Sequence, residues 1–477
     1  MGLAKQEIQG LVFSGYARWP RSRLRLLRIT DAEAARRWLG EEVERLTYGS
    51  GDKARATAAV HCRNLAFTHD GLKLLGLPDQ GLVGFEKAFR EGMTTPQRSQ
   101  LLGDAPGAPS DTAKWRWGAD PAQPVHVLQL LYARDDDAAD RLLRDEIIAT
   151  QACLADVTPP CAIYLTDDGR EHFGFADGIS QPAYEGVDPP GDAGYAARRL
   201  ATGELLLGYR DSLDNISLGP VVDPQATGAA VLPQTADGLG DFGLNGAYLV
   251  CRQMRQDVGA FEAMLAQLAA SSAMATLLPD WTAAERADWV GSRIVGRWRS
   301  GCPVTASPDR DDPQFSGRNA FLFEAADGKG RACPFGAHVR RANPRDSLFE
   351  PWKTTRGRDA DKTLADNDRR RLLRRGRAFG PPFREAPEAE RGLVFLALGA
   401  SIERQFEFVQ HSWVLNPNFA GLANETDPLV GAADTTLTLQ ARPFARRLDG
   451  VKAQAWTEGG GYFFLPSRGA MRFLAAQ

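Results

Sequence analysis

The segment His172–Pro182, HFGFADGISQP, holds one carboxylate, Asp177, in an unusual setting. An Asp-Gly pair ordinarily marks a solvated turn. Phe173, Phe175 and Ile179 prefer burial, and a carboxylate in an apolar pocket is suited to moving protons. A second segment, CPFGAHVRRANPRD (Cys333–Asp346), sets His338 beside Arg340, Arg341 and Arg345. Cys333 and His338 are too few, and badly spaced, for zinc. No glycine-rich loop leads into a helix, as a phosphate site needs. One imidazole for iron, with cations nearby for two propionates, suits a haem better. On this segment alone, a satisfied core histidine remains an open alternative.

A third segment, DRRRLLRRGRAFGPPF (Asp368–Phe383), crowds six arginines together. It reads as a helix ending at Gly376 and then a loop. An inward-pointing arginine of the last turn would reach a pocket. The competing readings are a solvated cationic face or a nucleic-acid patch. The net charge of −3 and the lack of interleaved aromatics weigh against nucleic acid.

These residues need a scaffold, and four segments share one pattern, an apolar strand followed closely by an amphipathic helix. The first runs from Leu24, with Leu24–Ile29 as strand, a capping box at Thr30 and Glu33, and Leu39, Val43 and Leu46 at helical period. The second begins at Val125. The third begins at Ala247, with Val258, Phe261, Leu265 and Leu268 on one helical face. The fourth begins at Gly392, with Ile402, Phe406, Val409 and Trp413 on one face. Two units in each half predict a duplicated α+β domain, with antiparallel sheets covered by helices. The seam is expected in Val187–Tyr195 or Ser217–Gly243, with domains of 1–215 and 216–477. Two polar stretches, Gly103–Pro124 and Thr354–Asp368, read as surface loops.

With 477 residues, 43% hydrophobic and 25% charged, the chain has the composition of a multi-core globular protein. The apolar run Leu393–Ala400 is too short to span a bilayer. The start MGLAKQEIQG has no signal region, and the six scattered cysteines read as reduced thiols, so a cytoplasmic location is expected. A homo-oligomer is compatible with the sequence. A hydrolase built on Asp177 would need a nucleophile elbow or a metal-ligand cluster, and neither is present.

Together the three segments resemble the dye-decolorizing (DyP-type) haem peroxidases. Gly174-Phe175-Ala176-Asp177-Gly178 fits the family's GxxDG motif and continues in Ile179-Ser180-Gln181-Pro182. CPFGAHVRRANPR is similar to the segment with the proximal histidine, and RRGRAFGP to the one with the distal arginine. NLAFTHDGL (Asn64–Leu72) and GELLLGY (Gly203–Tyr209) are similar to stretches of family members too. The resemblance spans nearly the whole chain. It implies two ferredoxin-like domains, with haem b (one iron per chain) in the C-terminal one.

By this resemblance His338 is the iron ligand and Asp177 the distal carboxylate. Arg374 is the distal arginine, because its spacing to Phe379-Gly380 matches the family where Arg375 and Arg377 do not. Leu393 and Phe395 line the distal pocket, and backbone at Ile179 and Ser180 approaches the haem edge. Arg345 contacts a propionate, with Arg340 a weaker candidate. The acidic partner of His338 is Asp427 by local sequence, with Glu403 as runner-up. The implied reaction oxidises dyes, phenols or other organic donors with hydrogen peroxide through a ferryl intermediate. Asp177 would carry the proton and Arg374 would stabilise charge on the leaving oxygen. Trp413 and Tyr209 are considered as stations for electrons moving to the surface, although most aromatics are simply core. The alternative is a haem-handling protein with incidental peroxidase activity.

Overall fold

The computed structural model describes residues 2–50, 59–189, 198–348 and 360–477. The first half supplies β1 (Arg21–Ile29), α1 (Ala32–Glu42), β2 (His61–Phe67), β3 (Val127–Ala133), α2 (Asp136–Thr150) and β4 (Cys161–Tyr164). The second half opens with β5 (Ala247–Gln256) and α3 (Val258–Ala269). The helices that follow include α4 (Ala283–Val295), the short α5 (His338–Ala342) and α6 (Ala360–Asp368). β6 (Leu373–Arg374), β7 (Arg377–Phe379), β8 (Gly392–Gly399) and β9 (Ala455–Leu465) complete it. Two π-helical segments, Ile402–Glu407 and Val409–Val414, follow β8. Their four expected apolar positions, Ile402, Phe406, Val409 and Trp413, are all buried.

Local chemistry explains the strand-to-helix turns. Asp31, Asp135 and Asp257 each accept a backbone N–H of the helix they precede. The cap of α1 is therefore Asp31, which accepts from Ala34 N at 2.9 Å, and not the expected Thr30.

Both halves order their strands alike, β4-β1-β3-β2 in the first and β9-β5-β8-β6/β7 in the second. This is the duplicated ferredoxin-like α+β fold that the sequence predicts. β6 and β7 keep one register on β8, with Arg374 opposite Ala397 and Arg377 opposite Val394. The two sheets also join into a ring. β7 pairs with β4 through Ala378–Tyr164 and Phe379–Ile163, and β9 meets β2 at Phe464–Phe67. Closure of this kind removes exposed strand edges. Leu128, Leu130, Leu249, Leu396, Leu398 and Phe463 fill the inside of the ring. A second core packs helices on its outside, including Trp38, Leu39, Val250, Ala397 and Tyr462.

Three polar stretches read differently in the structure. Residues 360–368 form α6 rather than a loop, with Thr363, Leu364 and Asn367 buried, while 354–359 lie outside the described residues. The 103–124 stretch is irregular but not merely superficial: Trp117 is buried, and Asp104 is ion-paired with Arg252 at 2.5 Å. Of the seam Val187–Tyr195, residues 190–195 lie outside the described residues, and 217–243 is a run of turns around a small two-stranded ribbon. None of the six cysteines is disulfide-bonded. Among the described residues no helix is long and apolar enough to cross a membrane.

Candidate active site

His338 opens α5, and its Nδ1 lies 2.9 Å from Oδ2 of Asp427. Asp427 is fully buried, and its Oδ1 accepts from the backbone N–H groups of Leu429 (2.9 Å) and Val430 (3.0 Å). The carboxylate is thus fixed from behind before it meets the imidazole. Burial alone would drive His338 towards its neutral form, but Asp427 outweighs it and raises the histidine's pKa. Burial likewise works against the Asp427 anion, and His338 and Arg341 together pull its pKa below the usual carboxylate range. Arg341 donates to the carbonyls of Trp413 (2.9 Å), Asn416 (3.0 Å) and Glu425, anchoring the short helix. With Nδ1 engaged, Nε2 makes no hydrogen bond to a described residue. The His338 side chain is 31% accessible where Asp427 is 0%.

Across from it, strand geometry selects Arg374. Side chains alternate across a strand. Arg375 and Arg377 point into the ring: Arg377 donates to Ser22 Oγ (2.7 Å) and the carbonyl of Trp19 (2.8 Å), and Arg375 to those of Leu11 and Val12 (2.9 Å each). Arg374, opposite Ala397, points outward on the same face as Leu393 and Phe395. Those two are half-buried, whereas Val394 and Leu396 between and beyond them are fully buried inside. Arg374 thus lies on a strand, not in the last turn of a helix as expected. A helix would have put residues 374 and 377 on one side; the strand separates them.

The GxxDG loop reaches this face from the first half. Gln181 Oε1 accepts from Arg374 N at 3.0 Å, and the Ser180 carbonyl lies 3.4 Å from Arg374 Nη1. Ile179 packs where a Cβ on Gly301 would strike it. The Asp177 charge acts on both Arg374 and His338, favouring the charged form of each. Burial, the larger influence, lowers the pKa of Arg374. One expectation is corrected here. Asp177 is exposed and is not enclosed by its apolar neighbours. Phe173 and Phe175 instead face Phe261 of α3, with centroids 4.3 and 6.3 Å away, and moor the loop. Gly174 and Gly178 adopt φ of +87° and +78°, a backbone state that favours glycine.

Other expected residues fall outside this cluster. Glu403 accepts from Ala88 N (3.0 Å) and Arg98 (3.1 Å), so the runner-up partner of His338 belongs to another network. Arg340 is 1% exposed, lies 4.5 Å from the rings of both Phe323 and Phe335, and donates to Cys333 O at 2.7 Å. It also pairs with the carboxylate of Asp327 at 3.3 Å, so protein groups surround its guanidinium. Trp413 is buried against Phe408, and the Tyr209 hydroxyl donates to Asn245 at 2.6 Å. Arg345 turns its guanidinium to Asn319 O (2.6 Å), Asn319 Oδ1 (2.5 Å) and Phe321 O.

Two groups escaped the sequence reading. Arg297 is buried and shares Asn319 Oδ1 with Arg345, at 3.3 Å. Among the described residues no carboxylate pairs with it. Glu171, just ahead of the GxxDG motif, folds back under the turn and accepts from Phe173 N and Phe175 N, both at 2.9 Å. A glutamate preceding a glycine-containing turn was the available signal.

The fold thus brings one imidazole backed by a buried carboxylate near the charges of Arg374 and Asp177. No family model matches the chain. It is 29% identical over 500 residues to the dye-decolorizing peroxidase msp1 of Mycetinis scorodonius, covering 99% of this chain and 87% of that one. It is 27% identical to a multifunctional dye peroxidase of Amycolatopsis, covering 91% and 90%. The solved structure of an ancestral D-type dye-decolorizing peroxidase superposes with a TM-score of 0.78 at 27% identity over the whole of both chains. Over nearly its full length the chain is thus similar to dye-decolorizing peroxidases in sequence and in fold.

Proposed function

We propose that this protein uses hydrogen peroxide to oxidise dyes, phenols or related organic donors with a bound haem. The observation that carries the reading is the His338–Asp427 pair, on which the charges of Arg374 and Asp177 both act. The residues fit a haem. Nε2 of His338 is the remaining ligand atom, and Asp427 raises its basicity. Arg297 and Arg345 bring two buried cations to one amide oxygen, an arrangement that suits an incoming carboxylate such as a propionate. Leu393 and Phe395 supply apolar wall.

Haem, when bound, supplies the iron that takes up peroxide and holds the oxidising equivalents. Asp177 accepts the proton from the near peroxide oxygen and returns it to the far one as general base and then acid. Its exposed position suits a group that must meet a small incoming molecule. Arg374 stabilises negative charge on the departing oxygen. A protein that merely carries haem needs no such pair. We place the division between the halves near residue 215, and the cell location in the cytoplasm.

The test is the absorption spectrum of purified holoprotein, followed by rapid mixing with peroxide. A Soret band that changes within milliseconds is expected. A Soret band unchanged by peroxide would favour the haem-handling alternative, and no Soret band would end both readings.

A further inference from the structure

The loop that presents Asp177 is held by a carboxylate outside both the proximal and distal pairs. Glu171 Oε1 accepts from Phe175 N at 2.9 Å. Its Oε2 accepts from Phe173 N at 2.9 Å and from Gln256 Nε2 at 2.6 Å. The backbone repeats the closure, with Glu171 N donating to Phe175 O at 3.0 Å and Gly174 N to Glu171 O at 2.8 Å. Gln256 ends β5, so this one side chain ties a loop of the first half to the sheet of the second.

Arg299 grips the same turn from outside. Its Nη1 donates to Phe173 O at 2.6 Å, and its carbonyl accepts from Ala176 N at 3.1 Å. Ion pairs to Glu262 of α3 (2.7 Å) and Asp288 of α4 (3.2 Å) fix the guanidinium. Burial, the largest influence on Glu171, raises its pKa, yet three N–H donors converge on its two oxygens. An anion satisfies all three, whereas an amide has one acceptor oxygen and would turn its own NH₂ towards an N–H donor.

We infer that Glu171 is a positioning residue for Asp177. Its carboxylate fixes the turn that leads into Asp177, and so sets the rate of the peroxide step without touching peroxide. This rests on the reading of Asp177 as the group that moves the proton. A merely structural glutamate would lower stability equally with or without Asp177. A positioning one acts only through it, and residues that act as a unit show non-additive effects.

The experiment is a double-mutant cycle in the holoenzyme with Glu171→Gln and Asp177→Asn. The readouts are the second-order rate of the spectral change with peroxide and hydrogen exchange across residues 170–180. Glu171→Gln is expected to keep its Soret band, to slow the peroxide step roughly 10-fold, as loss of about one charge-assisted hydrogen bond implies, and to speed amide exchange in the loop. In the Asp177→Asn background the added effect on rate is expected to vanish while the faster exchange persists. A further roughly 10-fold loss in that background would overturn the proposal, as would a parental rate for the single variant. If Asp177→Asn itself reacts at the parental rate, the underlying reading fails, and that result is distinct from failure of the positioning role. Gln256→Met removes one donor and spares the carboxylate. Should Glu171→Gln not fold, Gln256→Met is expected to give a smaller loss with the same dependence on Asp177, and a loss independent of Asp177 would refute the role.

Discussion

The two halves share a strand order and differ in what they place on the outer face of the sheet. In the first half that face is closed by charges satisfying one another. Arg25 donates to Asp156 (3.0 and 2.9 Å), Gln129 (3.1 Å) and Thr150 (3.2 Å). Arg63 pairs with Glu146 at 3.1 Å, and Glu146 accepts from Gln129 at 2.7 Å. In the second half, Arg374 on the matching face has only the Ser180 carbonyl at 3.4 Å as a side-chain partner among the described residues. Its opposite charge arrives on a loop from the other half. The same fold therefore carries one set of charges paired within its own half and one arginine whose side chain makes a single long hydrogen bond among the described residues. Fold alone would not separate them.

This contrast predicts opposite responses to similar substitutions. The largest effect is expected at His338. His338→Ala should abolish or gravely weaken haem binding, read as loss of the Soret band, with little change in the secondary-structure spectrum. Asp427→Asn should keep haem but weaken it roughly 10–100-fold, the usual cost of removing a ligand's hydrogen-bond partner. Full retention of haem in His338→Ala would overturn the assignment of the ligand.

Asp177→Asn and Arg374→Leu should retain haem and slow the peroxide step by about 10²–10⁴-fold, the range for a lost acid–base or charge-stabilising group. The first half should answer in stability instead. Arg63→Met leaves Glu146 buried without its cation, which costs about 3–5 kcal/mol. Denaturant unfolding would measure it, and the peroxide rate of the folded fraction should stay parental. A slowed peroxide step in Arg63→Met would show that the first half's face takes part in the chemistry.

Much of the comparison was legible in the sequence, because strand-to-helix units leave periodic patterns about twenty residues long. The four apolar positions Ile402, Phe406, Val409 and Trp413 hold their face even through π-helical turns. Ring closure was not legible. It depends on two register pairs between β7 and β4 and one between β9 and β2, which impose no periodicity. Arg374 was selected by resemblance while its element was misread, since DRRRLLRR has helix-forming residues and only pairing with β8 makes a strand of it. Asp427 was distinguishable from Glu403 by local sequence, but Glu171 and Arg297 act through loop contacts with residues far along the chain. The contacts of Arg340 with Asp327, Phe323 and Phe335 were not legible either, because proximity in sequence to His338 does not reveal which way a one-turn helix points its side chains.

The smallest expected effect tests whether the first half's face is closed by ion pairs alone. Glu42 is fully buried, and among the described residues neither of its carboxyl oxygens has a hydrogen-bond partner. Arg63 is 3.7 Å away and Arg45 3.9 Å. Burial and then the neighbouring Glu146 push its pKa up to about 8. An unfolded chain releases that proton near the ordinary value of about 4.3. Between those values the folded form holds a proton that the unfolded form has lost, so stability falls as pH rises. The contribution is complete below about pH 4 and lost by the time pH passes about 8. The limiting slope is about 1.4 kcal/mol per pH unit. Relaxation around the site should leave a difference on the order of 1 kcal/mol between about pH 6 and 8. Glu42→Gln is neutral throughout and should flatten that decline, gaining on the parent as pH rises. If Glu42 instead worked as an anion for Arg63, the variant would lose most at pH 8. Thermal unfolding at a series of pH values reads the sign directly, and a variant that loses ground at high pH would show that Glu42 works as an anion paired with Arg63.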